Sequence, residues 1–408
     1  MDPERQPSHP SAPHLAEDSS FRHKPSAPPR DLPESRWIEW ALIGDRGLRA
    51  GWVLFLLALL YRVFSTILGT IAVGFDPGLA KADFSPIPAL IAEAVPLLAL
   101  MGAMLLVARL EQRNLISYNL DGPRRLVHFL QGLGIGFAAL SALVAAMAAG
   151  GWLQFGAASL SIAQSLGFAL LWGFVFLLVG CFEEGAFRCS LQSILTRGVN
   201  FWWALAIVAG LCLDLLLRSQ ANGVDLFAIL WMSAPTLTKA NGNWGVYAFA
   251  LLGLVPCFLL QLKKTPSAPF WQAAWVTSTL FGFIHTGNNG ENWIGIFAAA
   301  AIGFVFCVSV RLTGSAWWAI GCHAAWDWAE TYFYGTADSG LAASGHLLNA
   351  NPAGNPLWSG GADGPEGSLL VLVVIALLLA LLLGLYGRGK SRAQSPTATH
   401  RRLNNLGL

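Results

Sequence analysis

The chain has 408 residues, of which 55% are hydrophobic and only 12% are Asp, Glu, Lys or Arg, about half the charged share of an ordinary soluble protein. So few charges cannot cover a soluble fold of this size, and the 17 tryptophans suit membrane–water interfaces. A net charge of +2 provides no basic face for nucleic acid. The composition predicts an all-α, polytopic membrane protein.

The first 36 residues hold eight prolines among scattered charges and read as a disordered cytoplasmic tail. Residues 36–43 follow as a short interfacial helix with Trp37 and Trp40 at headgroup level. A crossing needs about 20 apolar residues. Ten stretches qualify: 51–74, 88–109, 127–152, 168–195, 201–218, 244–262, 270–289, 293–312, 315–335 and 368–387. No apolar signal-peptide core precedes the first, which is therefore expected to serve as an uncleaved targeting signal. Gly-rich 340–367 reads as a loop on the outer side, and 388–408 as a basic cytoplasmic tail.

The 25 Lys and Arg residues test this count. With the N-terminus in the cytoplasm and ten crossings, 21 fall on the cytoplasmic side and 3 outside, as the positive-inside rule demands. Both termini are thus expected in the cytoplasm, in a cell inner membrane. The six cysteines lie in apolar runs without a CxxC pair, which points away from disulfides and thiolate zinc cages.

Ionisable residues inside a bilayer are costly and mark function by default. Those within the spans are Arg62, Glu93, Glu183, Glu184, Arg188, Asp214, His285, His323, Asp327 and Glu330. Helical spacing pairs Glu184 with Arg188 one turn on and turns Glu183 about 100° away without a local partner. His323 and Asp327, at i and i+4, share a face where the carboxylate can fix the imidazole tautomer. His285 closes Phe281-Gly-Phe-Ile-His285. At about 1.5 Å per residue, Glu183 lies roughly 21 Å, His285 roughly 22 Å, and His323 and Asp327 about 12 and 18 Å from the cytoplasmic ends of their spans. A shared layer suggests one joint site, reached by water and substrate through a cavity opening to the cytoplasm. Arg62 and Glu93 are expected to pair with neighbouring helices, and Asp214 with Arg218 as a structural pair.

Carboxylates and imidazoles gathered in this way suit activation of water against a carbonyl. The HExxH pattern of helix-borne zinc proteases is absent. In order and on separate spans, Glu183-Glu184…Arg188, Phe281…His285 and His323…Asp327 resemble the motifs of the CAAX-processing and bacteriocin-processing intramembrane endopeptidases, which include the type II CAAX prenyl protease. The flanks Leu-Phe-Gly-Phe-Ile-His-Thr-Gly-Asn and Gly-Cys-His-Ala-Ala-Trp-Asp are similar too.

The resemblance implies a peptidase acting on a membrane-associated or hydrophobic peptide at the bilayer. Glu183 would be the general base and His285 would help to hold or deprotonate water. His323 and Asp327 would orient or stabilise the oxyanion, and Glu184 and Arg188 would brace the site. Two histidines and two carboxylates also suit Zn²⁺ with an open position, so metal-assisted and metal-free hydrolysis both stay open. Two departures stand out. Family members usually carry Asn where Asp327 sits, and Glu183 and His285 are unusually far apart. The second fits a two-span insertion at 200–266 in an eight-span core, dividing the chain into 1–36, 37–199, 200–266, 267–387 and 388–408. A catalytically silent immunity or scaffold protein of the same family is the alternative. A transporter is disfavoured because no internal repeat is visible.

Overall fold

The computed structural model describes residues 42–44, 47–81, 84–157, 160–219, 244–288 and 290–387. Both tails, Trp37, Trp40 and the side chains of Asp214 and Arg218 lie outside the described residues. Where the expected interfacial helix ends, Ile43–Gly44 (β1) instead pairs antiparallel with Gly47–Leu48 (β2).

A helix stands at each of the ten apolar stretches. They are α1 (Ala50–Phe75), α2 (Pro86–Leu110), α3 (Arg125–Ala149), α4 (Ile162–Gly198), α5 (Phe201–Ser219), α6 (Trp244–Lys263), α7 (Ala268–Ile284), α8 (Trp293–Thr313), α9 (Trp317–Trp328) and α10 (Leu369–Gly387). Six of them, α1, α2, α3, α4, α8 and α10, are individually long and apolar enough to cross a membrane. The chain is an integral membrane protein with an all-α fold. Large apolar side chains such as Leu59, Ile67, Leu98, Leu166 and Leu377 face outward, as lipid contact requires.

Local chemistry sets the helix ends. Ser161 and Gln164 form a capping box at the start of α4. Asn292 caps α8 by accepting from the amides of Ile294 and Gly295. Gly314, at φ +86°, ends that helix in the left-handed conformation.

Backbone hydrogen-bonding needs confine spanning segments to helices, and glycines set how closely these approach. A Cβ on Gly132 or Gly136 of α3 would meet the carbonyl oxygen of Trp318 or Cys322 at 2.2 Å, and one on Gly321 would meet that of Phe129. Gly180 brings α4 against α9 at Ile320 and Ala324 in the same way. Such small-residue contacts hold membrane helices together by close packing rather than by a hydrophobic drive. They put α9 within reach of both α3 and α4.

The bundle has two chemically distinct ends. At one, Arg197 binds Glu111 through two hydrogen bonds of 2.7 and 3.1 Å. Tyr118 donates to the same carboxylate, and Trp317 Nε1 donates to Leu120 O at 2.9 Å. Arg109, Arg125, Lys263 and Arg311 lie in the helix turns that finish or begin here. At the other end, Leu153–Gly156 (β3) pairs antiparallel with Asn349–Pro352 (β4). Ser344 N donates to Phe84 O, Tyr332 OH to Ser165 O, and Asn292 Nδ2 to Gly367 O. The Gly-rich stretch read from sequence as a loop is therefore a hydrogen-bonded cap over this end.

Candidate active site

α4 passes through a π-helical turn, Gly185–Leu191, directly after the paired glutamates. Such turns are often found at functional sites. Glu184 and Arg188 are fully buried, and Arg188 Nε lies 3.1 Å from Glu184 Oε2. The guanidinium stacks over Phe281 at 4.4 Å and faces Phe306 at 5.2 Å, a cation–π arrangement strengthened by desolvation. Gly303 provides its space, since a Cβ there would sit 2.8 Å from Arg188 Nη2.

The other oxygen of Glu184 reaches across to α9, where His323 Nδ1 lies 2.9 Å from Glu184 Oε1. An ionised carboxylate only accepts, so Nδ1 carries the proton. His323 Nε2 is left facing two further carboxyl groups, 3.4 Å from Asp327 Oδ2 and 3.8 Å from Glu183 Oε2. Its ring stacks on Phe306 and meets the edge of Phe281. The group that orients the imidazole through Nδ1 is thus Glu184, a link across helices that spacing along α9 could not reveal.

His285 follows the last residue of α7. Its Nδ1 is 2.7 Å from Phe281 O, so that nitrogen donates and Nε2 is the ring atom without this partner. Phe281 touches Phe187, Arg188, His285 and His323. The Phe-x-x-x-His spacing therefore matters because one ring at i packs under the imidazole at i+4 and against both other clusters.

Glu183, His285, His323 and Asp327 all line one cavity of about 340 Å³. The common depth read from the sequence thus corresponds to a common space. The cavity runs toward the capped end of the bundle. The remaining wall includes Phe84, Asp338, Ser339, Leu341 and Glu366, from the capped end, and no residue of the basic-end connections. The reason is packing: Ala186, Phe187, Cys189, Phe281 and Ile320 form a buried apolar cluster on the basic-end side of His323, with the Glu184–Arg188 pair beside it.

Sequence reasoning missed three carboxyl groups of this cavity. Glu93, expected to pair with a neighbouring helix, instead lines it, while Arg62 Nη1 is buried without a hydrogen-bond partner. Asp338 and Glu366 come from the cap. A signal for them was present, because 330–368 contains four carboxyl side chains and no Lys or Arg. Burial and the neighbouring Glu366 push Asp338 up to about 7 and Asp363 up to about 8.

A catalytic metal requires several donor atoms converging on one point. Among the described residues, the grouping of acidic and imidazole donors close enough for an ion consists of Glu330, Asp338 and Glu366. No three donors from Glu183, His285, His323 and Asp327 come that close, so the observed arrangement does not form a metal cage there.

The chain is thus an apolar helical bundle that holds a carboxylate–imidazole cluster in its interior. Residues 165–329 match the family model described as "Type II CAAX prenyl endopeptidase Rce1-like". This segment contains every motif residue named above, and the matched model describes the family that those motifs resemble. No curated protein and no solved structure matches the chain.

Proposed function

We infer that the chain is an intramembrane endopeptidase that hydrolyses a peptide bond of a membrane-associated or hydrophobic peptide. The observation that carries this reading is the meeting of Glu183 from α4 with His323 from α9 at 3.8 Å, in a cavity that also receives His285. The family of the 165–329 segment supports a peptidase.

Glu183 is the base. It takes a proton from a water molecule as the water oxygen adds to the scissile carbonyl carbon. The developing oxyanion is met by the Nε2–H of a doubly protonated His323, whose Nδ1–H stays on Glu184, while His285, with its Nδ1–H on Phe281 O, accepts from the attacking water through Nε2. Such a preorganised donor acts strongly in a site shielded from bulk water. The tetrahedral intermediate then collapses, the C–N bond breaks, and the proton held by Glu183 passes to the leaving amine. Asp327 holds His323 from the cavity side, while Glu184 and Arg188 hold it from behind. An ionised Asp327 would repel the oxyanion, so its role lies with the imidazole.

Glu183→Gln keeps size and polarity but cannot accept the proton. General-base loss costs about 10²–10⁴-fold in rate, so cleavage of a hydrophobic reporter peptide by purified protein should fall by at least about 100-fold with the melting temperature unchanged. Full activity of this variant overturns the mechanism. Asp327 in place of the usual Asn is the one feature favouring a silent scaffold, and absence of turnover by the wild type across lipidated and unlipidated peptides is the result that reading needs.

A further inference from the structure

Two residues of the far wall of the cavity, Asp338 and Glu366, belong with Glu330 to a second cluster that the proposed hydrolysis does not use. Glu330 follows α9 in the turn Ala329–Tyr334, Asp338 sits in a tight turn closed against Leu341, and Glu366 lies in the one-turn helix Pro365–Gly367 before α10. One carboxylate oxygen from each lies within 4.8 Å of the other two.

Neutral donors surround them. Trp326 Nε1 donates to Glu330 Oε2 at 3.0 Å and Glu366 Oε1 at 2.9 Å. Thr331 Oγ1 donates to Asp338 Oδ2 at 2.8 Å, and Ser339 Oγ to Glu366 Oε2 at 3.2 Å. These bonds orient the carboxylates without neutralising them. Glu330 is fully buried, yet its Oε1 has no hydrogen-bond partner. The adjacent Asp363 is also fully buried, with Oδ1 unpartnered. None of the ion pairs described above involves these groups.

Unpartnered buried carboxylate oxygens are expensive unless a cation or proton completes them. Ca²⁺–oxygen distances of about 2.3–2.6 Å put ligands on opposite sides of the ion about 4.6–5.2 Å apart, so three oxygens within 4.8 Å of one another can share one ion. An all-oxygen donor set selects hard cations over soft ones. We propose that Glu330, Asp338 and Glu366 form a binding site for a hard divalent cation, Ca²⁺ or Mg²⁺, at the capped end of the cavity. The ion joins the end of α9, through Glu330, to two points of the cap. It therefore holds the cap in place over the hydrolytic residues, independently of whether hydrolysis occurs as proposed above.

The test uses the full chain, purified in detergent and stripped with a chelator. Mn²⁺ binding is followed by electron paramagnetic resonance, and thermal melting is recorded with added Ca²⁺ or Mg²⁺. The expected result is one Mn²⁺ per chain, displaced by Ca²⁺ or Mg²⁺, with a higher melting temperature in either ion. Asp338→Asn and Glu366→Gln should each weaken binding at least tenfold, while Asp121→Asn, at the opposite end, should not. Three outcomes overturn the proposal. One is a wild type that binds no Mn²⁺ and is stabilised by acid alone, which assigns the neutralising role to protons. Another is Mn²⁺ binding unchanged in Asp338→Asn and Glu366→Gln. The third is binding lost in His323→Ala but retained in those two variants, which places the ion among the imidazoles.

Discussion

Glu184 does two things at once: it neutralises Arg188 at 3.1 Å and fixes His323 at 2.9 Å. Both partners of the ion pair are fully buried, so removing one leaves a charge without compensation, at a cost of about 3–5 kcal/mol. Arg188→Met should therefore lower stability by about that amount, read as a fall in melting temperature in detergent. The double variant Glu184→Leu/Arg188→Met removes both charges and should recover much of the loss, because a buried pair replaced by apolar groups is often neutral. It should not recover cleavage, since His323 then lacks its Nδ1 partner. A double variant as active as the wild type would show that Glu184 does not position the imidazole. The i, i+4 pairing was legible in the sequence because it lies within one helix. The bond from α4 to α9 was not, since it depends on which helices are neighbours.

At the scale of the element, the glycines of α3 decide how near α9 can come. Gly136→Val would drive a side chain into the carbonyl of Cys322, 2.2 Å from the Cβ position. Overpacking of this kind costs typically about 1–3 kcal/mol and shifts the backbone. Because His323 is the next residue, cleavage should fall as well as stability. Gly134, on the same helix, is exposed with nothing within 4 Å of its Cβ position, and Gly134→Ala should be neutral or stabilising by up to about 1 kcal/mol. Comparing the melting temperatures and reporter cleavage of these two variants checks the helix contact; equal behaviour argues against it. The ten helices themselves were legible from apolar runs. The cap was not, because β3 and β4 are separated by nearly 200 residues in sequence and are only four residues long each, too short for any periodicity.

For the whole molecule, two ends of opposite character imply a fixed orientation. The basic end carries Arg109, Arg113, Arg124, Arg125 and Arg197, while the cap over 330–368 has no Lys or Arg. The positive-inside rule predicts that the basic end faces the cytoplasm, which would turn the capped end of the cavity toward the opposite face. Cysteines introduced at exposed Leu110 and Leu357 should be modified by a membrane-impermeant thiol reagent from opposite sides of intact cells, Leu357→Cys from outside. Labelling of Leu110→Cys from outside would reverse the orientation and return the capped cavity to the cytoplasmic face. The stacked Trp152 and Trp358, 5.1 Å apart, lie at the capped end, where indoles suit the membrane interface.

The sequence by itself determined the membrane class, the placement of the helices and the residue types of the site. Those properties follow from local composition: apolar length sets a crossing, and scarce charges inside a span mark it. Tertiary structure alone decided that Glu184 rather than Asp327 holds His323 Nδ1, that the cavity runs toward the cap, and that Glu330, Asp338 and Glu366 meet. Each of these depends on side chains brought together from distant positions by backbone contact at Gly132, Gly136, Gly180 and Gly321 or by the folding of the cap. Helical spacing carries information over one or two turns. Beyond that distance, the packing of one helix against another supplies it.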